Sequence, residues 1–349
     1  MIKIAIIGTG GMANFHAEQF SKQRDVRLTA ACDVDADRVR EFAARHKIPK
    51  AFTSLDKLFA EGDFEAVSNV TPDRWHAPIT LQALRHGRHV LCEKPLAVCY
   101  ADAAKMARAA KKAGVIHMVN FSYRNNSCIH KAHELVHSGV LGRILHVDAA
   151  YYQSWLNQNA WGDWHDSQTW LWRLSTAHGS RGTLGDIGVH LLDFASYPVG
   201  KIESVNCTLR TFPKAPGDRI GNYTLDANDS VVVTASFQNG ALGSLRATRI
   251  ATGHDNSITL ALFGDEGSIK IDLDRSGQQL EWCRIKNRVA GPWATLDCGS
   301  TPSIYERFVK SIRTGVNDQP DFARGAEIQK ALDACEQSHI EGRTIRILG

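Results

Sequence analysis

Residues 2–13 read Ile2-Lys3-Ile4-Ala5-Ile6-Ile7-Gly8-Thr9-Gly10-Gly11-Met12-Ala13, an apolar run that breaks into a glycine-rich turn and then a helical pattern. The turn has the form G-x-G-x-x-A. Glycines there let the backbone turn tightly and approach a pyrophosphate, and the N-terminus of the following helix presents free N–H groups to negative charge. Such a string is weak on its own, but here a strand precedes it, a helix follows it, and Asp33 stands at the end of the next strand. An acid in that place accepts hydrogen bonds from ribose hydroxyls and repels a 2′-phosphate, which favours NAD over NADP. Arg38 tempers that preference. The expected cofactor set begins with Gly8, Thr9, Gly10, Gly11, Met12, Asp33 and Arg38.

The alternation continues outward from this stretch. Ile2 to Ile7, Val26 to Cys32, Ala66 to Val70, His89 to Cys92 and Ile116 to Asn120 read as strands. Met12 to Lys22, Asp35 to His46, Thr80 to His86 and Ala101 to Ala113 read as the helices between them. A βαβ series calls for a doubly wound parallel sheet of the Rossmann type with helices on both faces. Near residue 121 the pattern changes. After a helix at Ser127 to His137, stopped by Gly139, seven short strand-like runs follow: Arg143 to Tyr152, Glu203 to Arg210, Ser230 to Phe237, Ala241 to Thr248, Ser257 to Phe263, Ser268 to Asp272 and Gln279 to Cys283. Helices at Ile304 to Arg313 and Phe322 to Ser338 and a strand at Thr344 to Leu348 finish the chain. The expected fold is two-domain α/β: a Rossmann domain over residues 1–120, and an α+β domain over 121–349 with a large, mostly antiparallel open sheet for substrate binding and oligomerisation.

Composition narrows the partners. With 349 residues, 43% hydrophobic and 22% charged, the chain has the make-up of a globular protein with a real core. A formal charge of +4 with scattered basic residues lacks the footprint of a nucleic-acid binder. No apolar run is long enough to span a membrane, and no secretory segment opens the sequence, so a cytoplasmic protein is expected. The eight cysteines form no Cys-x-x-Cys pair and no zinc-like spacing, and are read as reduced thiols with no metal site.

Three further segments fall where ligands collect, beyond the carboxyl ends of parallel strands or at a helix start. Thr71-Pro72 follows the strand at Ala66, and His76 is read either as a contact to the cofactor or as the first turn of the next helix. Glu93-Lys94-Pro95 follows the strand at His89: Lys94 is placed to hydrogen-bond a substrate hydroxyl and stabilise a developing oxyanion, and Glu93 to contact the cofactor. Asp186 and His190 are four apart on an expected helix and so share a face. His190 has the intrinsic pKa to take a hydroxyl proton, and Asp186 could orient it. A helix N-terminal charge and a satisfied core imidazole are the plainer readings of the same pair.

The three motifs in this order, Gly8 to Ala13, Glu93-Lys94-Pro95 and Asp186 to His190, resemble the Gfo/Idh/MocA family of glucose-fructose oxidoreductase, inositol 2-dehydrogenase and rhizopine catabolism proteins, along essentially the whole chain. The resemblance implies a catalytic constellation of Lys94, Asp186 and His190, with either Lys94 or His190 as the base. It also implies that Asn120 to Arg124 joins the two domains, with Arg124 supporting the lysine loop and Tyr123 near substrate. The proline that often follows that arginine is absent from Asn125-Asn126-Ser127.

Five of the eight tryptophans, Trp155, Trp161, Trp164, Trp170 and Trp172, crowd together with Tyr151, Tyr152, Gln153, His165 and Arg173. Aromatic faces suit the C–H surfaces of a sugar ring, and this stretch is read as a carbohydrate-binding loop; an aromatic patch at a subunit contact is the alternative. By resemblance Trp172-Arg173 and Tyr151 to Trp155 look like the counterparts in dehydrogenases acting on pyranose rings. Trp172 and Arg173 are also assigned to the cofactor set, and Lys94, Tyr123, Arg124, Tyr151, Gln153, Trp155, Arg173, Asp186 and His190 to the substrate set. Arg173, His178 and Arg181 leave room for an acidic sugar. The function expected is NAD-dependent oxidation of a secondary hydroxyl of a sugar or cyclic polyol by a homodimer or homotetramer. An NAD-retaining glycosidase and a non-catalytic sugar or nucleotide sensor are the alternatives.

Overall fold

In the computed structural model the described residues are 1–287 and 289–347, without the side chains of residues 168 and 169. They form two compact units, Met1–Ser122 with Pro302–Gln329, and Tyr123–Thr301 with Lys330–Gly349. This differs from a single break after residue 120, because residues 302–329 return to the first unit. The reason is packing: Ile304, Tyr305, Phe308 and Val309 are buried in one cluster with Ile4, Ala17 and Phe20. An amphipathic pattern shows that a helix has an apolar face, but not which sheet the face covers.

The first unit runs β1 (Ile2–Ile7), α1 (Gly11–Ser21), β2 (Val26–Cys32), α2 (Ala36–Arg45), β3 (Lys50–Phe52), α3 (Leu55–Glu61), β4 (Ala66–Asn69), α4 (His76–Arg85), β5 (His89–Cys92), α5 (Tyr100–Ala113) and β6 (His117–Val119). The strands form a parallel sheet of order β3-β2-β1-β4-β5-β6, the doubly wound arrangement. Residues on both faces of β1 are buried, as helices on both sides require. Ala13, Ala17 and Phe20 put the apolar stripe of α1 on the sheet. β3 and α3 escape the sequence reading because a three-residue edge strand and a seven-residue helix show too little periodicity. α4 starts at His76 rather than Thr80, since Pro78 lies in its first turn, where a missing N–H breaks no helical bond.

The second unit carries α6 (Ser127–His137), β7 (Ile144–Gln153), α7 (Gln168–Leu171), α8 (Val189–Val199), β8 (Ile202–Arg210), β9 (Arg219–Ile220), β10 (Tyr223–Thr224), β11 (Ser230–Phe237), β12 (Leu242–Thr248), β13 (Asn256–Gly264), β14 (Gly267–Asp272), β15 (Gln279–Lys286), β16 (Val289–Ala290), β17 (Ala294–Asp297) and β18 (Ile345–Arg346). Between β17 and β18 the chain forms α9 (Ile304–Thr314) and α10 (Phe322–Glu341), the latter beginning in the first unit. The large sheet has ten strands in the order β16-β15-β14-β13-β7-β12-β11-β8-β18, with β17 on β15. Every ladder is antiparallel except β7 with β12. Val147, Ala149 and Tyr151 of β7 face inward and are buried, and α8 packs on the sheet. β18 covers part of the expected final strand, whose Leu348 lies outside the described residues.

Candidate functional site

The glycine turn builds an open cradle at the carboxyl end of β1. Gly8 has φ +85°, and a Cβ there would stand 2.7 Å from the Val70 carbonyl oxygen, so the turn passes against the end of β4 in a way only glycine allows. At Gly10 and Gly11 a Cβ would meet nothing within 4 Å. No side chain caps the N-terminus of α1, and Met12 is half exposed beside it. Free N–H groups of an eleven-residue helix, with open space above them, fit a pyrophosphate.

Asp33 ends β2 at the edge of this cradle. Its Oδ2 accepts from the Thr9 N–H at 2.8 Å and the Thr9 hydroxyl at 2.9 Å, and its Oδ1 from the Asp35 N–H at 3.1 Å. Arg38 donates through Nε to Oδ2 at 3.2 Å and through a terminal nitrogen to Oδ1 at 2.5 Å. Burial works to raise the carboxyl, but the bonds from Arg38, Thr9 and Asp35 prevail and hold it below the usual aspartate range. Asp33 is thus an ionised carboxylate at the edge of the cradle, shared with the half-exposed Arg38.

Thr71 lies at the end of β4, its hydroxyl donating to Asn69 Oδ1 at 2.7 Å, and Pro72 is exposed next to it. Two residues assigned to the cofactor have other occupations. His76 is fully enclosed, its ring nitrogens facing the carbonyl oxygens of Pro95 and Thr71. Glu93 is buried, accepting at Oε1 from His16 Nε2 at 2.8 Å and from the Asn120 amide, and at Oε2 from the Lys94 backbone N–H at 3.1 Å. Burial pushes Glu93 up, but His16, Lys94 and Asn120 outweigh it and hold it at about 2. Glu93 therefore anchors the peptide that carries Lys94. Tyr305 completes the network: its hydroxyl accepts from Asn120, and its ring meets His16 edge-on at 5.0 Å. His16 and Tyr305 escaped the sequence reading, because one looks like an interior helix residue and the other lies in a distant helix. The Lys94 side chain is half buried at the carboxyl end of β5.

The second unit holds its own set. Asp186 lies in a π-helical turn, Leu184–Gly188, and His190 in the first turn of α8, so the continuous α-helix expected for the pair is replaced by a wider turn running into one. Arg249, which has no exposed surface, donates to Asp186 Oδ2 at 2.8 Å, and Arg173 stands 4.0 Å from the same oxygen. Burial lowers the Arg249 pKa, and Asp186 opposes that shift. His190 is buried, with the Tyr123 ring edge-on at 4.9 Å and Tyr151 at 6.5 Å.

Tyr123, Tyr151 and Asn256 close a ring of hydrogen bonds beside His190. Tyr123 and Tyr151 hydroxyls lie 2.5 Å apart, Tyr151 donates to Asn256 Oδ1 at 2.7 Å, and the Asn256 amide donates to Tyr123 at 2.7 Å. Gln153 joins through Asn256 Oδ1 at 2.8 Å. Burial, and then Tyr123, push the Tyr151 phenol well above its usual pKa, which keeps it a neutral donor.

Several sequence assignments change here. Arg124 is buried and makes a two-pronged pair with Asp193, both bonds 2.7 Å, which braces α8. Trp155 is buried with Trp164, Leu171, Leu174 and Leu225, and its indole donates to Gln153. Much of the aromatic stretch thus packs as a small core of its own, while Trp161 keeps 39% of its exposure. Arg173 lies over Trp172 at 4.5 Å and Trp170 at 5.5 Å, within the second unit. Arg181 is tied to Glu336 and Asp333, and His178 packs on Tyr223. Arg249 and Asn256 were missed, since an arginine after one strand and an asparagine opening the next carry no local signature.

An open-cradled Rossmann unit with an ionised aspartate at the end of β2 and an anchored lysine defines an NAD-dependent oxidoreductase. The chain belongs to the GFO/IDH/MocA family: the oxidoreductase family model with the NAD-binding Rossmann fold matches residues 2–121, and the GFO/IDH/MocA C-terminal domain model matches residues 129–270. It is 29% identical to levoglucosan dehydrogenase of Pseudarthrobacter phenanthrenivorans, over 97% of this chain and 96% of that one. The structure of a levoglucosan dehydrogenase in complex with NADH and levoglucosan superposes with a TM-score of 0.87 over 100% of both chains, at 27% identity. An oxidoreductase domain protein from Kribbella flavida superposes at 0.88, with 31% identity over 100% of this chain and 99% of that one.

Proposed function

We propose that the chain oxidises a secondary hydroxyl of a sugar, anhydrosugar or cyclic polyol, with the first unit holding NAD and the second the substrate. Bound NAD supplies the hydride acceptor. The chain's residues supply the rest: Lys94 hydrogen-bonds the reacting hydroxyl and steadies its developing negative charge, and Lys94 or His190 receives the proton. Asp186, Gln153 and the Tyr123–Tyr151–Asn256 ring orient the remaining hydroxyls. Arg173 sits over Trp172 with its guanidinium beside Asp186, placed for a polar substituent of the ring. The observation that carries the reading is Lys94 itself, whose backbone is fixed by a buried, ionised Glu93 while its side chain stays half buried at the end of β5. The relatives that act on levoglucosan, on glucosides and on inositol support the substrate class. Eight free cysteines fit a reducing compartment, and we assign the protein to the cytoplasm.

Lys94→Ala tests the reading. Turnover falls by a factor on the order of 10² to 10⁴, the usual contribution of a positioned acid–base group, while the Kd for NAD measured by calorimetry stays close to that of the parent. Near-normal turnover in this variant rules the assignment out. A screen of monosaccharides, anhydrosugars, inositols and sugar acids, read as absorbance of the reduced nicotinamide with NAD and with NADP, identifies the substrate.

A further inference from the structure

His76 opens α4 and has no exposed surface. Its Nδ1 lies 2.7 Å from the Pro95 carbonyl oxygen and its Nε2 lies 2.8 Å from the Thr71 carbonyl oxygen. A main-chain carbonyl can only accept a hydrogen bond. A neutral imidazole carries one N–H, so in either tautomer a ring lone pair would face a carbonyl lone pair at hydrogen-bonding distance. Two donated bonds require both nitrogens to be protonated. The buried polar surroundings are otherwise satisfied: the Asn69 amide donates to the His76 carbonyl and to the Thr80 hydroxyl, which in turn approaches the Cys92 sulfur at 3.8 Å.

We propose that His76 is a permanently charged imidazolium whose two N–H groups tie the Thr71 turn after β4 to the Pro95 carbonyl beside Lys94, making it a positioning residue for that lysine. The role in positioning rests on the reading of Lys94 given above; the charge does not. The tie joins two segments that leave neighbouring strands of the parallel sheet, so it sets the spacing between the turn at the cofactor edge and the peptide that bears the ammonium. The titratable groups acting on the ring are Cys92 at the end of β5 and Asp73 in the turn Asp73–Trp75. Burial disfavours the cation, but Cys92, Asp73 and the bond to Pro95 prevail and carry the group up to about 10. With a folded-state pKa above the ordinary histidine value of 6.5, the stabilisation is complete below that value and is lost as pH rises through about 10.

Long-range ¹H–¹⁵N correlation spectra of protein labelled at histidine test the charge without substrate or NAD. The signal is assigned by its loss in His76→Gln or, should that variant not fold, His76→Asn. One histidine is expected to show two protonated ring nitrogens at pH 8, with no titration near neutrality. A pyridine-type nitrogen on that ring at pH 8 overturns the proposal. Either amide variant can supply only part of the tie, so kcat is expected to fall at least about ten-fold with KM little changed. Unaltered kcat in a folded variant refutes the positioning role. Should Lys94→Ala instead remain active, the proposed function fails while the spectrum still decides the state of His76.

Discussion

Arg249 heads the side chains that the fold encloses completely, and Asp186, whose side chain keeps 28% of its exposure, is the carboxylate 2.8 Å away. That difference in access to water decides which substitution costs more. Removing Asp186 leaves a guanidinium without its carboxylate where no solvent reaches, a loss of about 3–5 kcal/mol. Removing Arg249 leaves a carboxylate with solvent at hand and Arg173 4.0 Å away, so the loss is smaller. In chemical denaturation Asp186→Ala should therefore be less stable than Arg249→Met, and the double variant should regain most of the difference. The double variant should still be inactive, because restored packing does not restore the carboxylate that the proposed function sets against the substrate. Equal stability of the two single variants would contradict the burial argument, and a double variant with full turnover would remove Asp186 from the chemistry. At this scale the sequence singled out residues that belong to a motif, namely Lys94, Asp186 and His190. It did not disclose Arg249, His16, Asn256 or Tyr305, whose roles arise from contacts between distant segments.

At the scale of the element, the two glycines of the first turn have different duties. A side chain at Gly8 would need φ +85° and would run into the end of β4, whereas one at Gly10 would enter empty space over the N-terminus of α1. Gly8→Ala should lower the melting temperature. Gly10→Ala should leave it nearly unchanged and weaken NAD binding, as followed by titration calorimetry, because the methyl occupies the approach to the free N–H groups. Tight NAD binding by Gly10→Ala would show that the cradle lies elsewhere. Strong periodicity made β1, β2, β5, α6 and β11 legible to the residue. Short elements such as β3, β9, β10 and β16 were not, since two or three residues cannot display a period. The π-helical turn at Leu184–Gly188 was also hidden, because its residues read equally well as ordinary helix. Aromatic density was legible at Trp155 to Trp172, but its meaning was not: composition does not separate a ring that faces a ligand from one that packs on another ring.

At the scale of the molecule, the expectation of a homodimer or homotetramer can be tested on one face of the ten-stranded sheet. Leu242, His146 and Phe263 form one row across β12, β7 and β13, and Val232, Arg246, Ala150 and Thr259 form a parallel row across β11, β12, β7 and β13. Residues of the same parity share a face, and on this one Val232 is 52% exposed, Leu242 48% and Phe263 37%. The opposite parity, with Val147, Leu245, Val233 and Leu262, is buried. A broad sheet with apolar side chains standing in water is the kind of surface that a symmetric partner covers, since each copy offers the same rows to the other. Arg246 and Asp148 pair across the middle of the face at 2.6 Å, which leaves the apolar residues on either side to supply most of the burial. Val232→Lys combined with Phe263→Lys places two charges on the rows without touching the buried face. Light scattering should show the parent as a dimer or tetramer and the double variant as a species of lower mass, with its circular dichroism and NAD affinity retained. A parent that is monomeric at micromolar concentration, or a double variant of unchanged mass, would refute the use of this face.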